Sequence, residues 1–345
     1  MPTKDDLRYF QALPLEIKLG LTRNRIREWV NCYGENGVYV SFSGGKDSTV
    51  LLHIVREMYP DIEAVFVNTG LEYPEIQRFV KTFYNVTILR PEMRFDEVVK
   101  KYGYPVISKE IAECVEQGRK ALARNDGTYN YRLLKLRGMA LDKDGNPSRY
   151  NKAKYEPLLY TDFVSSSQCC AVMKKKPVKQ YAKQTGRVPI TAQMAQESQL
   201  RTQQWLKNGC NGFDMKAPIS NPMSFWTEQD VLQYIKQNNL QIASVYGEVV
   251  YEDNADQLKI GGYDSGKLTT TGCKRTGCVF CALGCHLDRE SRFQRLKETH
   301  PRLYGYCIGG GEYVDGVWQP NKEGLGMGHV FDELNKIYGE GFIKY

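Results

Sequence analysis

The chain has 345 residues, of which 41% are hydrophobic and 25% charged, and it carries a formal net charge of +7. This balance supports a sizeable buried core and excludes wholesale disorder, while the length suits one large α/β domain with a smaller appended region. No stretch approaches the roughly eighteen apolar residues of a membrane span, and the start Met1-Pro2-Thr3-Lys4-Asp5-Asp6 lacks the apolar run of a secretory signal. A cytoplasmic chain with no membrane partner is expected.

Along the chain, Leu15, Ile17, Leu19, Leu21, Ile26, Trp29 and Val30 recur among charges and predict one or two helices over 5–33, ended by Gly34-Glu35-Asn36-Gly37. The β-branched and aromatic run 38–42 predicts a strand, and 49–59, with Val50, Leu51, Ile54 and Val55 on one side, predicts a helix. Further strands are predicted over 62–67 and 86–89, and further helices over 74–83 and 95–102. Strands alternating with helices imply a doubly wound α/β fold around a parallel sheet.

Between 117 and 155 the rhythm breaks. Ten basic residues (Arg119, Lys120, Arg124, Arg132, Lys135, Arg137, Lys143, Arg149, Lys152, Lys154) stand against Asp126, Asp142 and Asp144, so this stretch alone carries an excess equal to that of the whole chain. With the turn signals Asn125-Asp126-Gly127 and Asp144-Gly145-Asn146-Pro147 it reads as an insertion. Tyr129, Tyr131, Tyr150 and Tyr155 interleave with the charges, so the stretch suits either a nucleic-acid partner or a solvated surface.

The pattern resumes with a helix over 169–182, a strand over 188–192, and helices over 197–206 and 227–238, the last opened by Thr227 as N-cap with Asp230 three residues on. From about 246 the chain is rich in Gly, Thr and Cys without clear periodicity. The expected division is a helical segment 1–36, a nucleotide-binding domain 37–245 that contains the insertion, and an irregular cysteine-rich region 246–345 that needs a staple. Gly261-Gly262 and Gly309-Gly310-Gly311 lack a strand-to-helix context and read as turns, and His53 as a structural residue.

Of ten cysteines, Cys169 and Cys170 are adjacent, Cys273, Cys278, Cys281 and Cys285 cluster, and Cys32, Cys114, Cys210 and Cys307 stand alone. In a large chain kept in a reducing compartment this grouping points to metal or redox chemistry rather than disulfides. Taken alone, the downstream spacing also suits a structural zinc site, and Cys169-Cys170 a buried apolar pair.

Ser43-Gly44-Gly45-Lys46-Asp47-Ser48 lies between a predicted strand and a predicted helix. Its glycines let backbone N–H groups face one way at a helix N-terminus, a geometry that accepts a phosphate chain. Lys46 would add a positive charge, Ser43 and Ser48 hydroxyl hydrogen bonds, and Asp47 would hold Mg²⁺ or fix the loop. The four-residue spacing of a Walker A loop is missing. The hexapeptide resembles the fingerprint of the PP-loop superfamily, whose members cleave ATP between the α and β phosphates or bind adenylylated sulfate.

Further stretches resemble the phosphoadenosine phosphosulfate (PAPS) and adenosine phosphosulfate (APS) reductase family: Asn68-Thr69-Gly70-Leu71-Glu72-Tyr73-Pro74-Glu75, Glu197-Ser198 with Arg201, and Asn221-Pro222-Met223 with Trp226-Thr227 and Asp230-Val231. The resemblance implies that Thr69, Gly70 and Arg201 help bind the nucleotide. It further implies that Cys169, Cys170, Cys278 and Cys281 hold a four-iron, four-sulfur cluster, with Lys174 and Lys175 offsetting its charge. Because adjacent helical cysteines point about 100° apart, both can serve one cluster only where the helix begins or bends.

The reductases of the family carry a nucleophilic cysteine in a C-terminal Glu-Cys-Gly-x-His motif, whereas this sequence reads Glu340-Gly341-Phe342-Ile343-Lys344-Tyr345. Cys285-His286 is a faint echo of that motif, and His286 reads either as an acid/base or metal-binding group or as a packed residue. The intact loop, in turn, resembles that of the ATP-cleaving members. Three readings follow. In the first, a thiolate from Cys273, Cys285 or Cys307 attacks activated sulfate, with a thiol or electron donor as partner. In the second, Lys46, Asp47 and Mg²⁺ assist ATP cleavage that adenylylates a nucleic acid for tRNA thiolation or DNA phosphorothioation. In the third, the chain binds a nucleotide without turnover.

Overall fold

A computed structural model describes residues 2–124, 130–252 and 266–345. The expected turn at Asn125-Asp126-Gly127, Tyr129 and the pair Gly261-Gly262 lie outside them. Two compact units account for the chain: one comprises Met1–Asn68, Glu72–Arg90 and Pro177–Gly277, the other Thr69–Leu71, Pro91–Lys176 and Cys278–Tyr345.

The first unit is built on a six-stranded sheet in the spatial order Val86–Leu89, Ala64–Val67, Val38–Ser41, Val188–Ile190, Ile219–Ser220, Asn211–Gly212. All pairings are parallel except the last, which is antiparallel. The mixed α/β class with a mainly parallel sheet is therefore as the alternating pattern predicts. Val38, Val40, Ala64 and Ile190 are fully buried, and Val50, Leu51, Ile54 and Val55 of helix Lys46–Met58 pack as one apolar face. The strand Val38–Ser41 is central. The chain runs outward from it through Ala64–Val67 and Val86–Leu89 on one side and later resumes beside it at Val188–Ile190 on the other, so its carboxyl end is the switch point where open α/β sheets bind ligands.

Two helices, Lys4–Ala12 and Leu15–Tyr33, precede the sheet. Lys18 on the second is buried and donates at 2.7 Å both to the Gln11 carbonyl and to Asp230 Oδ2. Asp230 belongs to helix Glu228–Gln237, where Thr227 and Asp230 form the expected capping box. That one carboxylate both closes the start of the helix and neutralises a buried ammonium.

The second unit is mostly helical. Phe95–Tyr102, Lys109–Arg124 and Tyr131–Leu136 come from the middle of the chain, and Arg292–Thr299, Pro301–Ile308 and Met327–Tyr338 from its C-terminal part. The C-terminal part is cysteine-rich as expected, but it carries these three helices where no periodicity was evident. Two of them are only eight residues long, too short for an amphipathic repeat to stand out. Phe293, Leu296, Phe331 and Leu334 bury their apolar sides. The short strands Val106–Ile107 and Ala282–Leu283 pair in parallel.

The basic stretch includes the end of helix Lys109–Arg124 and the helix Tyr131–Leu136, and most of its charge is already engaged. Lys120 pairs with Glu116 at 2.7 Å, Arg132 with Glu113 at 2.6 Å, and Lys135 with Glu110 at 2.8 Å. Lys152 lies 3.7 Å from Glu110 and Arg137 3.8 Å from Glu156. Arg119 instead donates to the carbonyls of Leu158 and Thr161. The carboxylates Glu110, Glu113 and Glu116 lie within the two helical turns just before the stretch, on helix Lys109–Arg124, so a count begun at 117 overstates the free charge.

Candidate functional site

The Ser43–Ser48 loop sits at the switch point of the first unit. Gly44 has φ +70°, and a Cβ there would lie 2.7 Å from Val80 Cγ2 and 2.8 Å from Ile76 Cγ2. Only glycine satisfies both the conformation and the space. Ser43 and Ser48 brace the turn: the Ser43 N–H donates to Ser48 Oγ at 3.1 Å, the two hydroxyls are 3.0 Å apart, and Ser48 Oγ donates to the Gly45 carbonyl at 2.9 Å. The N-cap of helix Lys46–Met58, Gly45, makes no side-chain cap bond, and of the first N–H groups that of Lys46 goes to the Tyr246 hydroxyl; a helix start of this kind suits an anionic acceptor.

Lys46 is buried, and its ammonium donates to the Lys274 carbonyl at 2.9 Å and lies 3.0 Å from Glu228 Oε1. Its backbone N–H donates to the Tyr246 hydroxyl at 3.2 Å, and that hydroxyl is 2.6 Å from Thr276 Oγ1. Asp47 keeps one rim of its carboxylate near solvent, while Oδ1 is shut away without a hydrogen-bond partner. Burial raises its pKa above the usual carboxylate range, opposed by Lys46, Arg275 and Arg201 and reinforced by Glu228. Arg201 is ion-paired with Glu197 and feels the charges of Arg275 and Asp47. The expected Ser43, Gly44, Gly45, Lys46, Asp47, Ser48 and Arg201 thus share one neighbourhood with Glu228, Tyr246, Lys274, Arg275 and Thr276, none of which the motif flags.

Thr69 and Gly70 belong to the second unit. Thr69 is buried, its Oγ1 accepts from the Leu71 N–H at 3.2 Å, and Gly70 has φ +75°. The Leu71 carbonyl accepts from the Val279 N–H at 2.8 Å, which ties this turn to the Cys278–Cys281 loop.

In that same unit the two cysteine pairs lie near enough to feel each other's charge. Cys169 hydrogen-bonds Cys170 and feels the charges of Cys170, Cys281 and Cys278. The hydrogen bond raises the Cys169 pKa and lowers that of Cys170, the latter helped by Lys109 and Lys174. Adjacent cysteines converge because the helix begins at Cys169 and runs directly into a π-helical turn, Ala171–Lys175, a distortion frequent at functional sites. Across from it, Arg292 donates to the carbonyls of Cys281 and Leu283 at 3.0 and 3.2 Å and grips Asp288 with two nitrogens. Ile107, whose carbonyl accepts from the Gly284 N–H at 2.7 Å, has φ +62°, a strained conformation for a β-branched residue. Among the described residues, no three His, Cys, Asp or Glu side chains converge on a position for a single metal ion.

The candidate nucleophiles are differently placed. Burial pushes the Cys285 thiol up to about 12, and burial raises Cys307 as well, opposite to the direction that arms a thiolate. Cys273 is buried and donates to the Arg275 carbonyl at 2.8 Å. His286 stacks on Phe342 at 5.0 Å, and burial lowers its pKa. His53 Nδ1 is 2.9 Å from the Tyr234 hydroxyl.

Residues 37–137 and 123–285 match the profile of the phosphoadenosine phosphosulfate reductase domain. The chain belongs to this family. An adenosine 5'-phosphosulfate reductase of Staphylococcus epidermidis is 24% identical over 216 residues, 62% of this chain and 67% of that enzyme. A phosphoadenosine 5'-phosphosulfate reductase of Xylella fastidiosa is 33% identical over 82 residues, 24% of this chain and 33% of that enzyme. An uncharacterized protein of Methanocaldococcus jannaschii is 24% identical over 279 residues, 80% of this chain and 48% of that protein, so the chain spans about half that relative's length. Among solved structures, the PAPS reductase from Candida auris in a phosphate complex aligns with 71% of this chain and 91% of its own, at 14% identity and a TM-score of 0.36.

In this PAPS reductase family member the matched region takes in the phosphate loop, Arg201 and both cysteine pairs, and stops at Cys285. The three C-terminal helices lie beyond it. Among the described residues, no helix is long and apolar enough to cross a membrane.

Proposed function

We propose that this chain binds an adenine nucleotide, ATP or an adenylylated sulfate, through Ser43–Ser48 and catalyses adenine-nucleotide-dependent sulfur transfer or reduction. The observation that carries the reading is the loop itself: a left-handed Gly44, an uncapped helix start and a buried Lys46 at the switch point of a mainly parallel sheet. Arg201 and Arg275, both coupled to the loop's Asp47, would add positive charge for the remaining phosphoryl or sulfuryl oxygens. Mg²⁺, where the ligand carries it, falls to Asp47, whose Oδ1 lacks a hydrogen-bond partner.

The second part of the proposal is that Cys169, Cys170, Cys278 and Cys281 hold a four-iron, four-sulfur cluster. Support for it is that Cys169 feels the charges of Cys170, Cys278 and Cys281, with Lys109 and Lys174 acting on Cys170; four thiolates are the usual ligation of such a cluster. When bound, such a cluster supplies one-electron chemistry. This chain's residues would hold it at the π-turn, with Arg292 fixing the carbonyls behind Cys281. The nucleic-acid reading draws less support, because most of the insertion's cations already have partners.

Anaerobic purification with iron and sulfide analysis, followed by incubation with ATP, APS and PAPS, tests both parts. Sulfite from APS or PAPS marks a reductase, and pyrophosphate and AMP from ATP mark an adenylylating enzyme. Binding without products would reduce the chain to a nucleotide-binding protein, and absence of binding would end the reading.

A further inference from the structure

Two groups of the loop that would meet a phosphate already have partners within the chain. Lys46 Nζ has the Glu228 carboxylate at 3.0 Å, and the Lys46 N–H has the Tyr246 hydroxyl at 3.2 Å. Oxygens of a phosphate chain would take those same two positions, one from an ammonium and one from an amide at a helix N-terminus. Glu228 is the first residue of helix Glu228–Gln237, where a carboxylate is favoured whether or not it touches a lysine. Its side chain is 41% exposed, so it can leave Lys46 for solvent without a buried charge being stranded on the glutamate. Tyr246, by contrast, is buried and held by Thr276.

Charge at the mouth of the loop is close to balanced. Lys46, Arg201 and Arg275 face Asp47, Glu197 and Glu228. A ligand entering there gains less from the cations than their number suggests, and it meets Glu228 as a like charge.

We infer that Glu228 is a specificity-determining residue: an anion of the chain itself that pairs with Lys46 and gives way to the ligand, imposing a penalty that grows with the ligand's negative charge. The inference rests on the reading of Ser43–Ser48 as a nucleotide loop. Its consequence is selectivity among adenine nucleotides by the charge they bring to the loop, so that a chain of two or more phosphoryl or sulfuryl groups has most to gain when the carboxylate is removed.

The test is calorimetric titration of the full chain and of Glu228→Gln, which keeps the side chain's length, with ATP, PAPS and AMP. The expected result is about tenfold tighter binding of ATP and PAPS, and less than about twofold change for AMP. Affinities that are unchanged, weakened, or improved equally for all three would overturn the inference while leaving nucleotide binding intact. Failure of both proteins to bind any of the three would instead overturn the loop reading. Should Glu228→Gln fail to fold, Glu228→Asp, which draws the carboxylate back by one methylene, must show the same ordering at about threefold. Tyr246→Phe provides a contrast: loss of the hydroxyl frees one neutral donor, so it must improve all three ligands alike, by about two- to threefold.

Discussion

The two candidate sites are made of different materials. The Ser43–Ser48 loop, the proposed nucleotide site, is a backbone site: its shape comes from a left-handed glycine and a helix start without an N-cap side-chain bond, and its side chains mostly brace the turn. The proposed cysteine site is a side-chain site: thiols of two distant segments feel one another's charge, beside a π-turn on one segment and carbonyls bound by Arg292 on the other. A backbone site should tolerate most side-chain changes except where a Cβ has no room. A side-chain site should tolerate almost none of its donors' replacement.

The sharpest way to break this contrast is to damage each site and read both. Cys281→Ser should abolish iron and sulfide in the anaerobically purified protein, because a four-thiolate cluster loses one of its donors, while nucleotide affinity changes by less than about twofold. Retention of full iron content would remove Cys281 from the proposed donor set.

Gly44→Val should do the reverse. Its Cβ would fall 2.7 Å from Val80 Cγ2 at φ +70°, and the resulting distortion should weaken nucleotide binding about 100-fold with iron content unchanged. Wild-type affinity in that variant would mean that the backbone does not hold the ligand. Lys46→Met, which removes one charged donor and leaves the backbone, should cost less, about 30-fold in affinity, measured by the same titration.

The smallest effect concerns stability. Burial raises the Asp47 pKa, so the folded chain holds that proton more tightly than the unfolded one, and the ionised carboxylate destabilises the fold above its folded-state pKa. Asp47→Asn should therefore raise Tm at neutral pH by about 2 °C, and the gain should fall away as the pH drops through about 4 and vanish below about pH 3, where the aspartate is protonated in both states. A gain that persists at acid pH would point to a packing effect instead.

How legible each site was in the sequence follows from the same contrast. The loop could be read directly because its residues are contiguous and lie between a β-branched run and an amphipathic helix. The Thr227 cap and its Asp230 partner were equally readable, being three residues apart. Glu228, Tyr246, Arg275 and Thr276 could not be read from the motif, since nothing local marks a residue that reaches Lys46 from the far end of the unit. The pairing of Cys169-Cys170 with Cys278 and Cys281 came from resemblance, and the condition that the helix begin or bend there came from helical geometry. The charge of the 117–155 stretch was misleading because Glu110, Glu113 and Glu116 sit just before it on helix Lys109–Arg124.

The most direct measurement is amide hydrogen exchange across residues 43–48 of the anaerobically purified chain, with and without saturating ATP, APS or PAPS. At least one nucleotide should slow exchange at Gly45, Lys46 and Asp47, where the helix start would donate to phosphate oxygens. Unchanged exchange at these amides with all three ligands, alongside calorimetric evidence that one of them binds, would place the nucleotide elsewhere and contradict the account.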